Sequence, residues 1–253
     1  MQLNLANKSV LVTGSSRGIG RAIAESFLAE QSKVAFNGRD PIQLEQTVSD
    51  IRHNNAIAVA GDASKPAQAQ ATLEKVLKAF GRLDILVCNV GGGRSVPPGQ
   101  ESYDEWQRVF ELNLWSATTM IETCRQALAE TQGVIVCISS ICGQEVVPGA
   151  PVTYSAAKAA LNAYVRGSAR PLGELGVRIN AIAPGNILFE ESVWNRKLNE
   201  DIKAVEDILK RDVSLAKFGS PQDVANLALW LASPAAGFTT GSIFVTDGGQ
   251  VRS

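Results

Sequence analysis

Short apolar runs rich in valine and isoleucine recur along the chain at residues 8–13, 33–37, 56–60, 84–87, 133–139, 177–183 and 242–246. Between most of them lie longer segments with apolar positions every three to four residues, such as the one carrying Ala22, Ile23, Phe27 and Leu28. Continuous apolar strands alternating with amphipathic helices predict βαβ units and a parallel sheet covered on both faces. Helices are expected over 41–53, 66–80 and 221–232, with Gly81 stopping the second. A long helical pattern over 103–129 carries Asn113 in its interior, where asparagine is mildly unfavourable, so a kink is expected there. Pro171 is expected to kink or end early the helix that begins near 150. No repeat, low-complexity tract or linker interrupts this order, so a single α/β domain spanning 1–253 is the reading. The irregular stretch 186–219, with Leu188, Phe189, Trp194, Leu198 and Leu209 among charges, reads as a lid-like segment over a site.

Where the pattern turns from strand to helix it gains chemistry. Thr13-Gly14-Ser15-Ser16-Arg17-Gly18-Ile19-Gly20 joins the first strand to the first helix. Such a turn presents free backbone N–H groups and the positive helix end to a pyrophosphate. Gly14, Gly18 and Gly20 supply the tight turn, the close approach and the helix packing, with Ser16, Arg17 and Ile19 between them. In an NAD-binding unit an acidic residue about 20 positions on bonds the ribose 2′-hydroxyl, whereas an arginine accommodates a 2′-phosphate. The second strand ends Asn37-Gly38-Arg39-Asp40, and Asp40 before Pro41 reads as a helix cap. Arg39, with Arg17, therefore argues for NADP(H). Asp62, at the end of the third strand, is either an acceptor for the adenine amino group or a turn residue. Asn89 and Gly91 open a second glycine-rich edge.

Tyr154 and Lys158 stand four apart on one predicted helix face, close enough to act together. A free phenol titrates near pH 10, so proton exchange near neutrality requires help, which a neighbouring ammonium gives by favouring the phenolate.

Composition narrows the alternatives. Apolar residues make up 45% of the 253 residues, so a sizeable core is available. With 24 basic against 25 acidic residues and no block of like charge, there is no electrostatic case for nucleic acid or an anionic membrane. The N-terminus lacks a signal-like pattern and no long apolar run spans a bilayer, so a soluble cytoplasmic protein is expected. Cys88, Cys124, Cys137 and Cys142 are scattered, and His53 is the only histidine. No metal site and no His-based triad is expected, which leaves tyrosine, lysine and carboxylates to move protons.

Taken together, Thr13-Gly-x-x-x-Gly18-x-Gly20, Asn89-x-Gly91, Asn113, Ser140, Tyr154-x-x-x-Lys158, Pro184-Gly185 and Asp247-Gly248-Gly249 resemble the short-chain dehydrogenase/reductase family over nearly all of residues 5–250. The chain is most similar to its 3-oxoacyl-(acyl carrier protein) reductase-like group. The resemblance implies a doubly wound Rossmann sheet of about seven strands, NADP(H), a small carbonyl or alcohol substrate, and a homo-oligomer, tetramer or dimer. It implies Tyr154 as proton donor in reduction, Lys158 as the group that lowers its pKa and bonds the nicotinamide ribose, and Ser140 as donor to the substrate oxygen. Asn113 would help hold a water leading away from Lys158, and Pro184, Gly185 and Ile187 would border the nicotinamide. The family's usual threonine beyond Pro184-Gly185 is replaced here by Phe189. A ketone reductase is the leading reading; a sugar or other polar-alcohol dehydrogenase and a catalytically silent nucleotide-binding scaffold or sensor are the alternatives.

Overall fold

The computed structural model describes residues 2–251. In chain order the elements are β1 (Ser9–Val12), α1 (Gly18–Ala29), β2 (Lys33–Gly38), α2 (Pro41–Ile51), β3 (Ala56–Ala60), α3 (Pro66–Phe80) and β4 (Ile85–Cys88). They continue with α4 (Tyr103–Phe110), a π-helical turn (Glu111–Trp115), α5 (Ser116–Thr131), β5 (Val134–Ile138), α6 (Val152–Gly173) and β6 (Arg178–Pro184). The chain closes with α7 (Val193–Glu200), α8 (Ile202–Asp212), α9 (Pro221–Ala232) and β7 (Ile243–Thr246). Among the described residues the strands form one seven-stranded sheet in the order β3-β2-β1-β4-β5-β6-β7, every pair parallel.

The alternation of side chains along each strand sorts the apolar residues into two cores. Leu11, Leu86, Ile135 and Ile179 face α3, α5 and α6, where Val76, Met120, Leu128 and Leu161 meet them. Val10, Val12, Phe36, Val87, Val136 and Ile182 face the other way, onto Phe27 of α1, Leu44 of α2 and Leu231 of α9. Burial on both faces is why these strands read as continuous apolar runs. The order reverses between β1 and β4, which opens a crevice at their carboxyl ends, where ligands of such sheets bind.

Polar contacts tie the opposite, amino ends of β1 and β4 and start α2. The Asp84 carboxylate, 4% exposed, accepts from the Ser9 N–H at 3.0 Å, from Lys8 at 3.2 Å and from Arg82 at 2.6 and 3.0 Å, tying β1 to β4. Asp40 caps α2 through the Ile42 and Gln43 N–H groups, as its place before Pro41 predicts.

Two helices depart from expectation. Around Asn113 the helix does not simply kink; it widens to a π turn and resumes as α5. α6 runs through Pro171 to Gly173 instead of ending early. Pro171 lies in the exposed last turn, so the carbonyl it leaves without an N–H partner, that of the exposed Gly167, is open to water, while buried Leu172 holds the turn down.

Candidate active site

The predicted site residues gather along the carboxyl ends of β1–β6. Gly14 and Gly18 take positive φ of 63° and 56°, conformations that favour glycine. A Cβ on Gly20 would stand 2.3 Å from Asn89 Nδ2 and 2.4 Å from the Gly14 carbonyl oxygen. The Asn89 carboxamide donates to the carbonyls of Thr13 (3.0 Å) and Gly14 (2.9 Å), and the Asn89 N–H donates to the Thr13 hydroxyl (3.0 Å). Asn89 thus holds the first glycine turn against the second, a supporting role that its position alone does not reveal.

The remaining cofactor candidates differ in what they can offer. Ser16 and Arg17 edge an open cleft of about 640 Å³, where Ser16 donates its hydroxyl to Gln43 at 3.4 Å and accepts the Thr47 hydroxyl on its carbonyl at 3.1 Å. Arg39 is exposed at the end of β2. The Asp62 Oδ1 accepts from the N–H (2.9 Å) and hydroxyl (2.8 Å) of Ser64, which fastens the turn after β3. Ile187 is buried in the core and bridges to Gly219, so only its backbone can border a ligand. Gly185 passes so close to Asp247 that a Cβ would stand 2.6 Å from the Asp247 Cβ. Phe189, at the place of the family's usual threonine, lies over Gly18, and Glu191 two residues on is ion-paired with Arg17. The bare glycine turns and the buried Asn37 Oδ1, an acceptor with no protein partner at the end of β2, fit a dinucleotide along this edge.

Across the crevice, Tyr154 and Lys158 project from the first turns of α6. Lys158 is 2% exposed and its ammonium donates to the Ile138 carbonyl at 2.9 Å, 5.9 Å from the centre of the Tyr154 ring. Ser140, just past β5, accepts the Cys142 N–H at 3.2 Å, which leaves its own hydroxyl proton for the hydrogen bond with Tyr154. Gly91 and Gly93 admit these groups: a Cβ on Gly91 would lie 3.0 Å from Lys158 Nζ, and one on Gly93 3.9 Å from the Tyr154 ring.

The electrostatics correct one expectation. Desolvation pushes the Tyr154 phenol up to about 12, with the Ser140 hydrogen bond acting the other way. Desolvation also pulls Lys158 down to about 8. Removal from water prevails over the nearby ammonium, which is turned to Ile138. At neutral pH the phenol is therefore neutral, a proton donor.

Asn113 sits in the π turn, 1% exposed. Its Oδ1 accepts from Gly92 N–H at 2.9 Å and its Nδ2 donates to the Gly92 (3.2 Å) and Val109 (3.1 Å) carbonyls, so the side chain is committed to shaping the turn and the glycine edge.

Sequence reasoning missed the buttress behind the lysine. Ser139 donates to Asn162 Oδ1 at 2.6 Å, Asn162 donates to the Gly143 carbonyl at 3.0 Å, and a Cβ on Gly143 would stand 2.6 Å from the Lys158 backbone. The only signal was the i,i+4 spacing of Asn162 from Lys158. It also missed a chain from Arg108 through Glu105 and Ser95 to Thr153. Ser95 Oγ donates to Glu105 at 2.7 Å and lies 2.6 Å from Thr153 Oγ1, one residue before Tyr154.

The sheet order, glycine edge and Ser-Tyr-Lys cluster define a dinucleotide-binding oxidoreductase of the doubly wound class. The sequence profile of a family described as enoyl-(acyl carrier protein) reductase matches residues 14–250. The chain is 34% identical over 256 residues to glucose 1-dehydrogenase 2 of Bacillus subtilis (strain 168), covering 99% of this chain and 97% of that one. It is 34% identical over 249 residues to the 3-oxoacyl-(acyl-carrier-protein) reductase FabG of Escherichia coli (strain K12), covering 98% and 99%. The crystal structure of L-sorbose reductase from Gluconobacter frateurii, complexed with NADPH and L-sorbose, superposes with a TM-score of 0.93 at 27% identity over all of both chains. The chain belongs to the short-chain dehydrogenase/reductase family.

Proposed function

We propose that the protein is an NADP(H)-dependent oxidoreductase that interconverts a ketone and a secondary alcohol, working as a reductase. The observation that carries this is the neutral Tyr154 phenol hydrogen-bonded to Ser140 beside buried Lys158, across from the glycine turns. Gly14, Ser16, Arg17, Gly18, Ile19 and Gly20 would hold the phosphates and adenosine, with Arg39 at the 2′-phosphate; Gly91, Pro184, Gly185 and the Ile187 backbone would border the nicotinamide. When bound there, the reduced nicotinamide would supply the hydride for the carbonyl carbon.

Tyr154 donates its proton to the developing oxyanion, and the Ser140 hydroxyl donates a hydrogen bond to the same oxygen, so charge and proton are handled together. Lys158, still largely protonated at neutral pH, stabilises the phenolate that results and returns a proton to it. With the Asn113 side chain committed to Gly92, the water implied by the family falls to backbone carbonyls of the π turn, since such a turn loosens the usual helical bonding.

Residues 186–219 serve as the lid. Trp194, Leu198 and Phe218 gather around Val205, Leu209 and Val213 in a small core of their own, separate from the two cores of the sheet. A homotetramer in the cytoplasm is our reading of the family resemblance. It is supported by edge strand β7, where Val245 is exposed and Phe244, stacked edge-on against Trp230, is half-buried. Among the described residues no helix is long and apolar enough to cross a membrane.

The relatives named for glucose and L-sorbose favour a second reading, a dehydrogenase or reductase of a polar sugar substrate. Following reduced-cofactor absorbance with a panel of 3-oxoacyl thioesters, ketoses and simple ketones separates the two. Turnover of ketones with NADPH supports the main reading; absence of turnover across carbonyls and alcohols leaves only a binding scaffold.

A further inference from the structure

The strap after β6 is pinned at both ends. At its root Leu188 N–H donates to the Gly219 carbonyl at 2.9 Å and Gly219 N–H to the Asn186 carbonyl at 3.0 Å; at its far end the Ser192 hydroxyl caps α7 through Asn195 N–H at 3.0 Å. Between these anchors the Phe189 ring covers the glycine turn so closely that a Cβ on Gly18 would stand 2.6 Å from it. Two residues on, Glu191 adopts a left-handed φ of 65°, a conformation costly for a residue with a Cβ, and pairs its carboxylate with the Arg17 guanidinium. The strap thus occupies both features a phosphorylated dinucleotide needs, the bare backbone of the turn and the cation at its mouth.

We infer that Glu191 is an internal competitor for the cofactor's phosphate and, with Phe189, sets affinity and selectivity for NADP(H). This rests on the NADP(H) reading above. A carboxylate and a phosphate address a guanidinium by the same forked hydrogen bonding, so only one of them can hold Arg17 at a time. Both side chains of the pair are more than half exposed, at 59% and 55%, so the pair is weak enough for a dianionic phosphate to displace. Displacement lifts Phe189 from Gly18 and frees the strap, so cofactor binding precedes opening of the lid to substrate.

The test is titration of the full-length chain with NADPH and with NADH, read by quenching of tryptophan fluorescence, for wild type, Glu191→Gln, Phe189→Ala, Arg17→Ala and the Arg17→Ala/Glu191→Gln double variant. Glu191→Gln is expected to tighten NADPH roughly two- to fivefold, with a smaller change for NADH and a gain that shrinks with added salt. Phe189→Ala is expected to tighten both dinucleotides, and Glu191→Gln to have no further effect once Arg17 is gone. Wild type that binds NADPH, with Glu191→Gln unchanged or weaker, overturns the competitor while leaving the functional reading standing. Failure of wild type and Glu191→Gln alike to bind NADPH overturns both.

Discussion

The Lys158 ammonium lies 5.9 Å from the centre of the Tyr154 ring while it donates its hydrogen bond to the Ile138 carbonyl, so the lysine stands in the phenol's pocket anchored to the end of β5. The phenol is held in the form that water-poor surroundings favour, the neutral acid. Tyr154→Phe removes that acid and nothing else of similar volume. The expected result is a fall in kcat of about 10²- to 10⁴-fold with NADPH still bound, checked by steady-state kinetics beside a cofactor titration. A kcat within a factor of about two of wild type would remove Tyr154 from the mechanism.

Lys158 burdens the fold in a way pH can expose. Its folded pKa of about 8 lies below the ordinary 10.5, so between these values the unfolded chain binds the proton that the native protein lacks. Native stability then rises with pH through that window, and the full desolvation cost is present below pH 8. Relative to wild type, Lys158→Met is expected to lose turnover but gain stability at pH 7, by up to roughly 3 kcal/mol, with the advantage gone by pH 10.5. Denaturant melts at several pH values decide it; a difference that stays flat across the window contradicts the assignment.

Thr153 is fully buried and its hydroxyl meets Ser95, which is bonded to Glu105. Because Ser95 gives its proton to Glu105, Thr153 is the donor to Ser95. Thr153→Val breaks the link next to Tyr154 and is expected to lower kcat about tenfold, whereas Thr153→Ser keeps it; the fall corresponds to roughly 1–1.5 kcal/mol for one buried hydrogen bond. Equal kinetics for the two variants would reduce the chain to a loop fastening.

Glu105 is held down to about 2 by its hydrogen bonds from Arg108 and then Ser95. Since the folded value lies below the ordinary 4.5, the stabilisation is complete above pH 4.5 and is lost as pH falls towards 2. In acid titrations followed by circular dichroism, wild type should approach Glu105→Gln as pH drops through this range. With the partner arginine half exposed, a difference of about 1 kcal/mol at pH 6 is expected.

What could be read along the chain was what is local along the chain. The Gly14-Gly18-Gly20 spacing, the Asp40 cap and the Tyr154-Lys158 pair each depend on neighbours within one turn, and all lie where the residue types place them. The apolar runs became strands because a sheet covered on both faces leaves no polar alternation to misread. Arg17 and Glu191, 174 residues apart, carry no mutual signature, and neither do Phe189 and Gly18. The phenol's acidity was misjudged for a related reason: spacing reveals which charges are near, but the depth of burial that overrides them is a property of the whole fold. Pro171 leaves α6 unbroken because a proline two residues from a helix end removes a single, solvent-accessible bond.

The turn at Glu111–Trp115 makes the winding of the α4–α5 rod a countable quantity. It behaves as one surplus residue relative to regular α-helical pitch. Excising a single residue there would let the rod wind without interruption, and α4 and α5 would keep their phase because the wide turn is what takes up the extra residue. What would be lost is the bulge that carries the Asn113 carboxamide to Gly92. The shortened protein would then have a smoother helix and a misplaced glycine edge, a local gain in regularity that disarms the crevice.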